Sequence, residues 1–158
     1  SAYAAFCRHV WESGCADLVD LELFTTGAEL PGMIAQAHAC GTAVVCSSHD
    51  FVRTPPQAEM VARMCAMQKA GADLPKLAVM PQSRRDVLAL LAATAEMAEL
   101  HPETPVITMS MGALGGDSRL CGEAMGSAMT FACTGKASAP GQIELDVLAP
   151  VLDRLRLE

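Results

Sequence analysis

Aromatic residues are scarce in this chain, at 4% of the sequence. A core built from it must be filled by alanine, leucine, valine and methionine, and the 51% hydrophobic content over 158 residues is enough to do so. Positive charge is also short, with a formal net charge of -7. That excludes a general nucleic-acid binder, because phosphate contact needs a basic face. A cation that holds a small anion would have to be local. No apolar run approaches the roughly 18 residues of a membrane span, and no charged-then-apolar leader opens the sequence. The expectation is a soluble, cytoplasmic protein without membrane or nucleic-acid partners. The seven cysteines are scattered, odd in number and never in a C-x-x-C pair. This pattern argues against a disulfide framework or a zinc site and for reduced, mostly buried thiols. Metal-ligand spacing is missing, so no metal ion is expected.

What is present is alternation. Short β-branched or apolar runs at Leu18 to Leu23, Thr42 to Ser48, Lys76 to Met80, Pro105 to Met111 and Thr130 to Cys133 alternate with helical patterns. The helices are expected at 2–14, 28–40, 56–70, 84–100, 117–127 and 144–157. Thr54-Pro55-Pro56-Gln57 and Ser83-Arg84-Arg85-Asp86 read as helix starts of the capping-box kind. Gly41 and Gly71 fall just past helix ends, where left-handed caps place glycine. No linker composition divides the chain, so residues 1–158 read as one domain. An α/β array with a helix before its first strand begins in mid-unit. It fits about five units of a (β/α)₈ barrel, which typically needs about 250 residues. An open doubly wound sheet is the alternative, and the missing glycine-rich turn disfavours it.

Four residues stand out chemically. Lys76 lies in the apolar strand Leu74-Pro75-Lys76-Leu77-Ala78-Val79. Lysine is rarely buried without a reason, and desolvation favours the neutral amine that attacks a carbonyl. The plain alternative is an edge-strand lysine with its head in water. His49 follows a strand at the end where barrel enzymes place catalytic groups, and histidine can take and return one proton in a cycle. It could equally cap the loop that follows. Asp20 and Glu22 are two apart on one strand and so share a face. Either could orient His49, or the two could be a purely structural pair.

The order of several segments is more specific. Asp20-Leu21-Glu22-Leu23, Ser48-His49-Asp50-Phe51 with Thr54-Pro55, and Gly71-Ala72-Asp73 through Lys76 to Pro81 come first. Ile107-Thr108-Met109-Ser110-Met111, Ser118-Arg119-Leu120 with Gly122-Glu123, and Ala137-Ser138-Ala139-Pro140-Gly141-Gln142 follow. Together they resemble the type I 3-dehydroquinate dehydratases, over nearly the whole chain. The resemblance implies a TIM-barrel fragment comprising strands four to eight, with the first third of the barrel lying outside this chain. It implies a lyase of the shikimate pathway that needs no metal or organic cofactor, with 3-dehydroquinate as small-molecule substrate and a homo-oligomer, a dimer, as assembly. Lys76 would form the Schiff base and His49 would be the general acid/base. Arg119 would bind the substrate carboxylate, and Ser138 and Gln142 would sit on a loop that closes over it. The family's first three strands would add an acid that assists the histidine and further arginines. One departure stands out: Gly115-Gly116-Asp117 precedes Ser118 where the family usually has an apolar residue, and Asp117 could draw Arg119 away. Another Schiff-base barrel, such as a class I aldolase, would share the lysine but not the Ser138–Gln142 segment. A non-catalytic barrel fragment is the reading outside the enzyme class.

Overall fold

A computed structural model describes residues 2–156. Its first half runs α1 (Ala2–Glu12), β1 (Leu18–Glu22), α2 (Leu23–Thr26), α3 (Leu30–Ala39), β2 (Ala43–Asp50) and α4 (Gln57–Lys69). The second half runs β3 (Leu74–Val79), α5 (Arg84–Leu100), β4 (Ile107–Ser110), α6 (Gly116–Leu120), β5 (Ala132–Cys133), β6 (Ile143–Glu144) and α7 (Leu145–Leu155).

β1 to β4 form one parallel sheet in sequence order, and the period-2 alternation of their side chains separates two faces. On the helix side, Leu21, Val44 and Cys46 pack against Trp11 of α1 and Met33 and Ile34 of α3. Leu77 and Val79 pack against Met60 and Met64 of α4 and Leu90 and Met97 of α5. The opposite face collects Val45, Ala78, Ile107, Met109 and Met111. Parallel strands in order with helices outside are the wall of a (β/α) barrel. Each fully buried Leu or Met here contributes about 1.5–3 kcal/mol, so methionine replaces the missing aromatics.

Local signals account for much of this. Ser83 and Asp86 form a reciprocal capping box at the start of α5, and Gly41 and Gly71 adopt φ of 79° and 100°. The expected box at Thr54 does not form. α4 starts at Gln57 with no side-chain cap, and the Gln57 amide donates instead to Glu96 of α5 at 2.7 Å. The cysteines are all free, yet only Cys7, Cys46 and Cys133 are buried, while Cys15 and Cys40 are exposed. Burial first, then the Asp20 and Glu22 carboxylates, push the Cys46 thiol up to about 12, so this thiol is inert.

The fifth strand departs from expectation. β5 is two residues long and pairs with β6, inside what reads from sequence as the approach to the last helix, in a separate small sheet. The physical reason lies on the free edge of β4. The Thr108 N–H donates to Ser127 Oγ at 3.0 Å and the Ser110 N–H to Ser118 Oγ at 2.9 Å, so hydroxyls take the places of strand carbonyls. Among the described residues only Val106 makes a strand-like bridge on that side, to Ser127. The helix expected at 117–127 is likewise cut to α6 and a 3₁₀ turn at Glu123–Met125, where Gly126 turns left-handed at φ 97°. Among the described residues no helix is long and apolar enough to cross a membrane.

Asp73 joins three elements at the other end of the sheet. One carboxylate oxygen accepts the Val44 N–H and meets His38 Nε2, each at 2.7 Å. Burial raises the Asp73 carboxyl, but the Val44 N–H and His38 outweigh it and hold it below the ordinary aspartate range. A depressed carboxyl adds stability that is full above its unfolded value and is lost as pH falls through the folded one. Asp73→Asn is therefore expected to lower Tm at neutral pH, with the gap to the unaltered chain closing below about pH 4. Parallel Tm curves at all pH values would show that the contact stabilises nothing.

Candidate active site

The barrel-interior face carries five polar side chains amid apolar ones. β1 presents Asp20 and Glu22, β2 presents Ser47 and His49, and β3 presents Lys76 opposite Ser47 in the register. The bases are sorted between the acids. Lys76 Nζ lies 2.8 Å from Asp20 Oδ2, and His49 Nδ1 lies 2.7 Å from Glu22 Oε2. Glu22 is thus the carboxylate that orients His49, while Asp20 belongs to the lysine. An acid for the histidine is already present within this chain. A carboxylate on Nδ1 holds the proton there and leaves Nε2 as the basic nitrogen.

Lys76 is neither in water nor in an apolar sleeve. Its side chain is 13% exposed, its charge faces Asp20, and the Phe131 ring centroid lies 5.1 Å from Nζ. The Phe51 ring stacks on His49 at 5.8 Å with an interplanar angle of 9°. The two aromatics flank the Lys76 nitrogen and the His49 ring.

Arg119 enters from α6, and its place is set by the neighbouring serine. Ser118 Oγ accepts from the Ser110 N–H and donates to the Gly115 carbonyl at 2.6 Å, which ties the helix to the end of β4. Gly115 permits this approach, because a Cβ there would sit 2.2 Å from the Ser110 carbonyl oxygen. Arg119 is 1% exposed and donates to the carbonyls of Phe131 at 3.4 Å and Pro140 at 3.2 Å. It forms no ion pair among the described residues, so neither Asp117 nor Glu123 draws it off. Burial pulls the Arg119 guanidinium below the usual arginine range. A buried cation without a carboxylate is costly unless an anion arrives to share its charge.

The segment after β5 closes the site. Gln142 Oε1 accepts from the N–H groups of Ser138 and Ala139 and lies 3.1 Å from Ser138 Oγ. Gly141, at φ 76°, lets the turn pack on Gly112, which donates its N–H to the Pro140 carbonyl at 3.2 Å. The same carbonyl receives Arg119, so the loop and the guanidinium are positioned together.

These residues border one cleft of about 360 Å³, lined by His49, Lys76, Arg119, Phe131, Ser138 and Gln142, with Met109 and Met111 at its floor. Five sequence candidates therefore meet in one place, and Asp20 and Glu22 stand behind two of them. Sequence reasoning missed Ser47 and Phe131. Ser47 was within reach, being two residues before His49 and so on its face. Phe131 carries no such signal, since its position depends on how β5 folds back.

Comparison with known proteins gives the family. Residues 1–157 match the family described as type I 3-dehydroquinase. A 3-dehydroquinate dehydratase of Klebsiella pneumoniae is 51% identical over 154 residues, covering 98% of this chain and 61% of that protein. One from Escherichia coli O157:H7 is 52% identical over 151 residues, covering 96% and 60%. A crystal structure of the Clostridium difficile type I 3-dehydroquinate dehydratase with covalent modified comenic acid superposes with a TM-score of 0.92. It shares 46% identity and covers 98% of this chain and 61% of that one. The chain spans about three fifths of the length of the curated relatives it matches. It belongs to the type I 3-dehydroquinase family.

Proposed function

We propose that this chain carries the covalent and proton-transfer groups of a 3-dehydroquinate dehydratase, a lyase that converts 3-dehydroquinate to 3-dehydroshikimate and water in the shikimate pathway. The observation that carries the reading is the convergence of Lys76, His49 and Arg119 on one cleft. Lys76 adds to the C3 ketone and water leaves, giving a protonated imine. That cation is an electron sink, so a proton on the adjacent carbon becomes acidic enough for His49 Nε2 to remove. The enamine then expels the C1 hydroxyl, which His49 protonates, and hydrolysis releases the product. Arg119 receives the substrate carboxylate in a guanidinium fork, which suits the paired oxygens. Ser138 and Gln142, now bonded to one another, turn to the substrate hydroxyls when the loop closes. We further place the protein in the cytoplasm, as a single domain that assembles into a homo-oligomer. The seven free thiols and the edge of β1, which has no partner strand among the described residues, support those assignments.

The test is borohydride reduction in the presence of 3-dehydroquinate, followed by peptide mass analysis. Substrate mass is expected on Lys76, one of three lysines in the chain. Label on Lys69 or Lys136, or on none of the three, overturns the reading.

A further inference from the structure

The acid beside the lysine has no part in the scheme above. Ser47 Oγ donates to Asp20 Oδ1 at 2.5 Å and lies 3.2 Å from Glu22 Oε2. With the two ion pairs this makes one connected row, Lys76, Asp20, Ser47, Glu22 and His49. Asp20 is held from both sides, by the serine hydroxyl and by the lysine. The other groups that bear on Lys76 are His49 from β2 and Arg119 from α6, which line the same cleft, with Glu22 beyond Ser47.

We propose that Asp20 is a positioning residue, the standing counter-ion of the Lys76 nitrogen, which keeps the substrate imine protonated. The inference rests on the Schiff-base reading, and charge balance carries it from there. An ammonium and a ketone give a protonated imine and water. One carbon–nitrogen bond forms, the carbon–oxygen bond breaks, and two nitrogen protons leave with the oxygen. The nitrogen bears one positive charge before and after. Only the neutral amine and carbinolamine between them lack it. A fixed carboxylate at 2.8 Å therefore meets a cation at both ends of the condensation and need not move. Its presence matters most once the imine exists, because a neutral imine draws electrons poorly and would leave the adjacent proton in place. The Phe131 ring, on the cleft side, offers its face to the same cation.

Removing the carboxylate should have two opposite effects, which a merely structural role would not produce. The Lys76 nitrogen then loses its charged partner and is freer to react with a reagent, and less of the imine is protonated. Asp20→Asn is compared with the unaltered chain at one pH by two readings on Lys76. One is labelling by trinitrobenzenesulfonate without substrate, scaled to Lys69. The other is borohydride fixation of 3-dehydroquinate, a single event that needs no turnover. Labelling is expected to rise and fixation to fall, each by about three- to tenfold, the range for a partly screened ion pair. Ser47→Ala, which keeps the carboxylate but frees it, should move both readings the same way by less, and Asp20→Glu should restore fixation. The inference is overturned if both readings fall together, if neither moves, or if fixation holds while labelling rises. Absence of fixation in the unaltered chain overturns the Schiff-base reading itself, and the inference with it, before any substitution is compared.

Discussion

Lys76→Ala is expected to abolish fixation of 3-dehydroquinate by borohydride, whereas His49→Ala keeps fixation and lowers kcat by about 10² to 10⁴, the usual worth of general acid/base catalysis. The separation follows from what each group can do in the cleft. Lys76 is the lysine that lines it, and neither the guanidinium of Arg119 nor an imidazole forms a stable imine with a ketone. His49 has its Nδ1 taken by Glu22, so its chemistry is confined to the other ring nitrogen. Losing the ring removes the proposed proton carrier, whereas Lys76 keeps its own direct partner Asp20, 2.8 Å away in the unaltered chain. The two variants are to be compared by single-turnover trapping and by absorbance of the conjugated product. Unchanged turnover in His49→Ala, or residual substrate mass in Lys76→Ala, would remove that residue from its assigned role.

Expressed as these 158 residues and nothing more, the chain is expected to turn over 3-dehydroquinate at least about 10²-fold more slowly than a full-length relative, and to self-associate. In a closed barrel every strand pairs on both sides. Among the described residues, β1 pairs only with β2, and β4 has β3 on one side and hydroxyl groups on most of the other. An open parallel edge invites association. Asp20 and Glu22, which hold the Lys76 and His49 nitrogens, stand on that edge strand, where Asp20 is 41% exposed. A misplacement of about 1 Å at such groups can cost on the order of 10²-fold. Adding in trans the segment of a relative that this chain does not match should restore activity and yield one defined assembly. Sedimentation and a product assay with and without that segment decide the matter. A monodisperse monomer with turnover in the ordinary range of about 1–10³ s⁻¹ would refute it.

The legible parts of the fold were those governed by local rules. The capping box at Ser83 and the stripe Val87, Leu90, Ala93, Thr94 and Met97 define α5 before any partner is known. The period-2 rule likewise put Asp20 with Glu22 on one face. It could not say which base each would meet, because that depends on the stagger between β1, β2 and β3. Thr54 shows the opposite limit. It has the residue type for a cap, yet Gln57 is drawn to Glu96 on a helix 39 residues away, and tertiary bonding overrides the local signal.

By itself the sequence determined the alternation of strands and helices, the (β/α) class and Lys76 and His49 as candidates, since residue type and spacing carry those, while Arg119, Ser138 and Gln142 became candidates only through the family resemblance of their segments. Tertiary structure alone decided that Glu22 serves the histidine and Asp20 the lysine. It also decided that Arg119 is buried beside two carbonyls and no carboxylate, and that β5 leaves the sheet for β6. Each of these depends on atoms brought together across tens of residues, at distances of about 3 Å where hydrogen bonds form. No local pattern encodes such distances, because they are set by how the strands register and how the loops fold back over them.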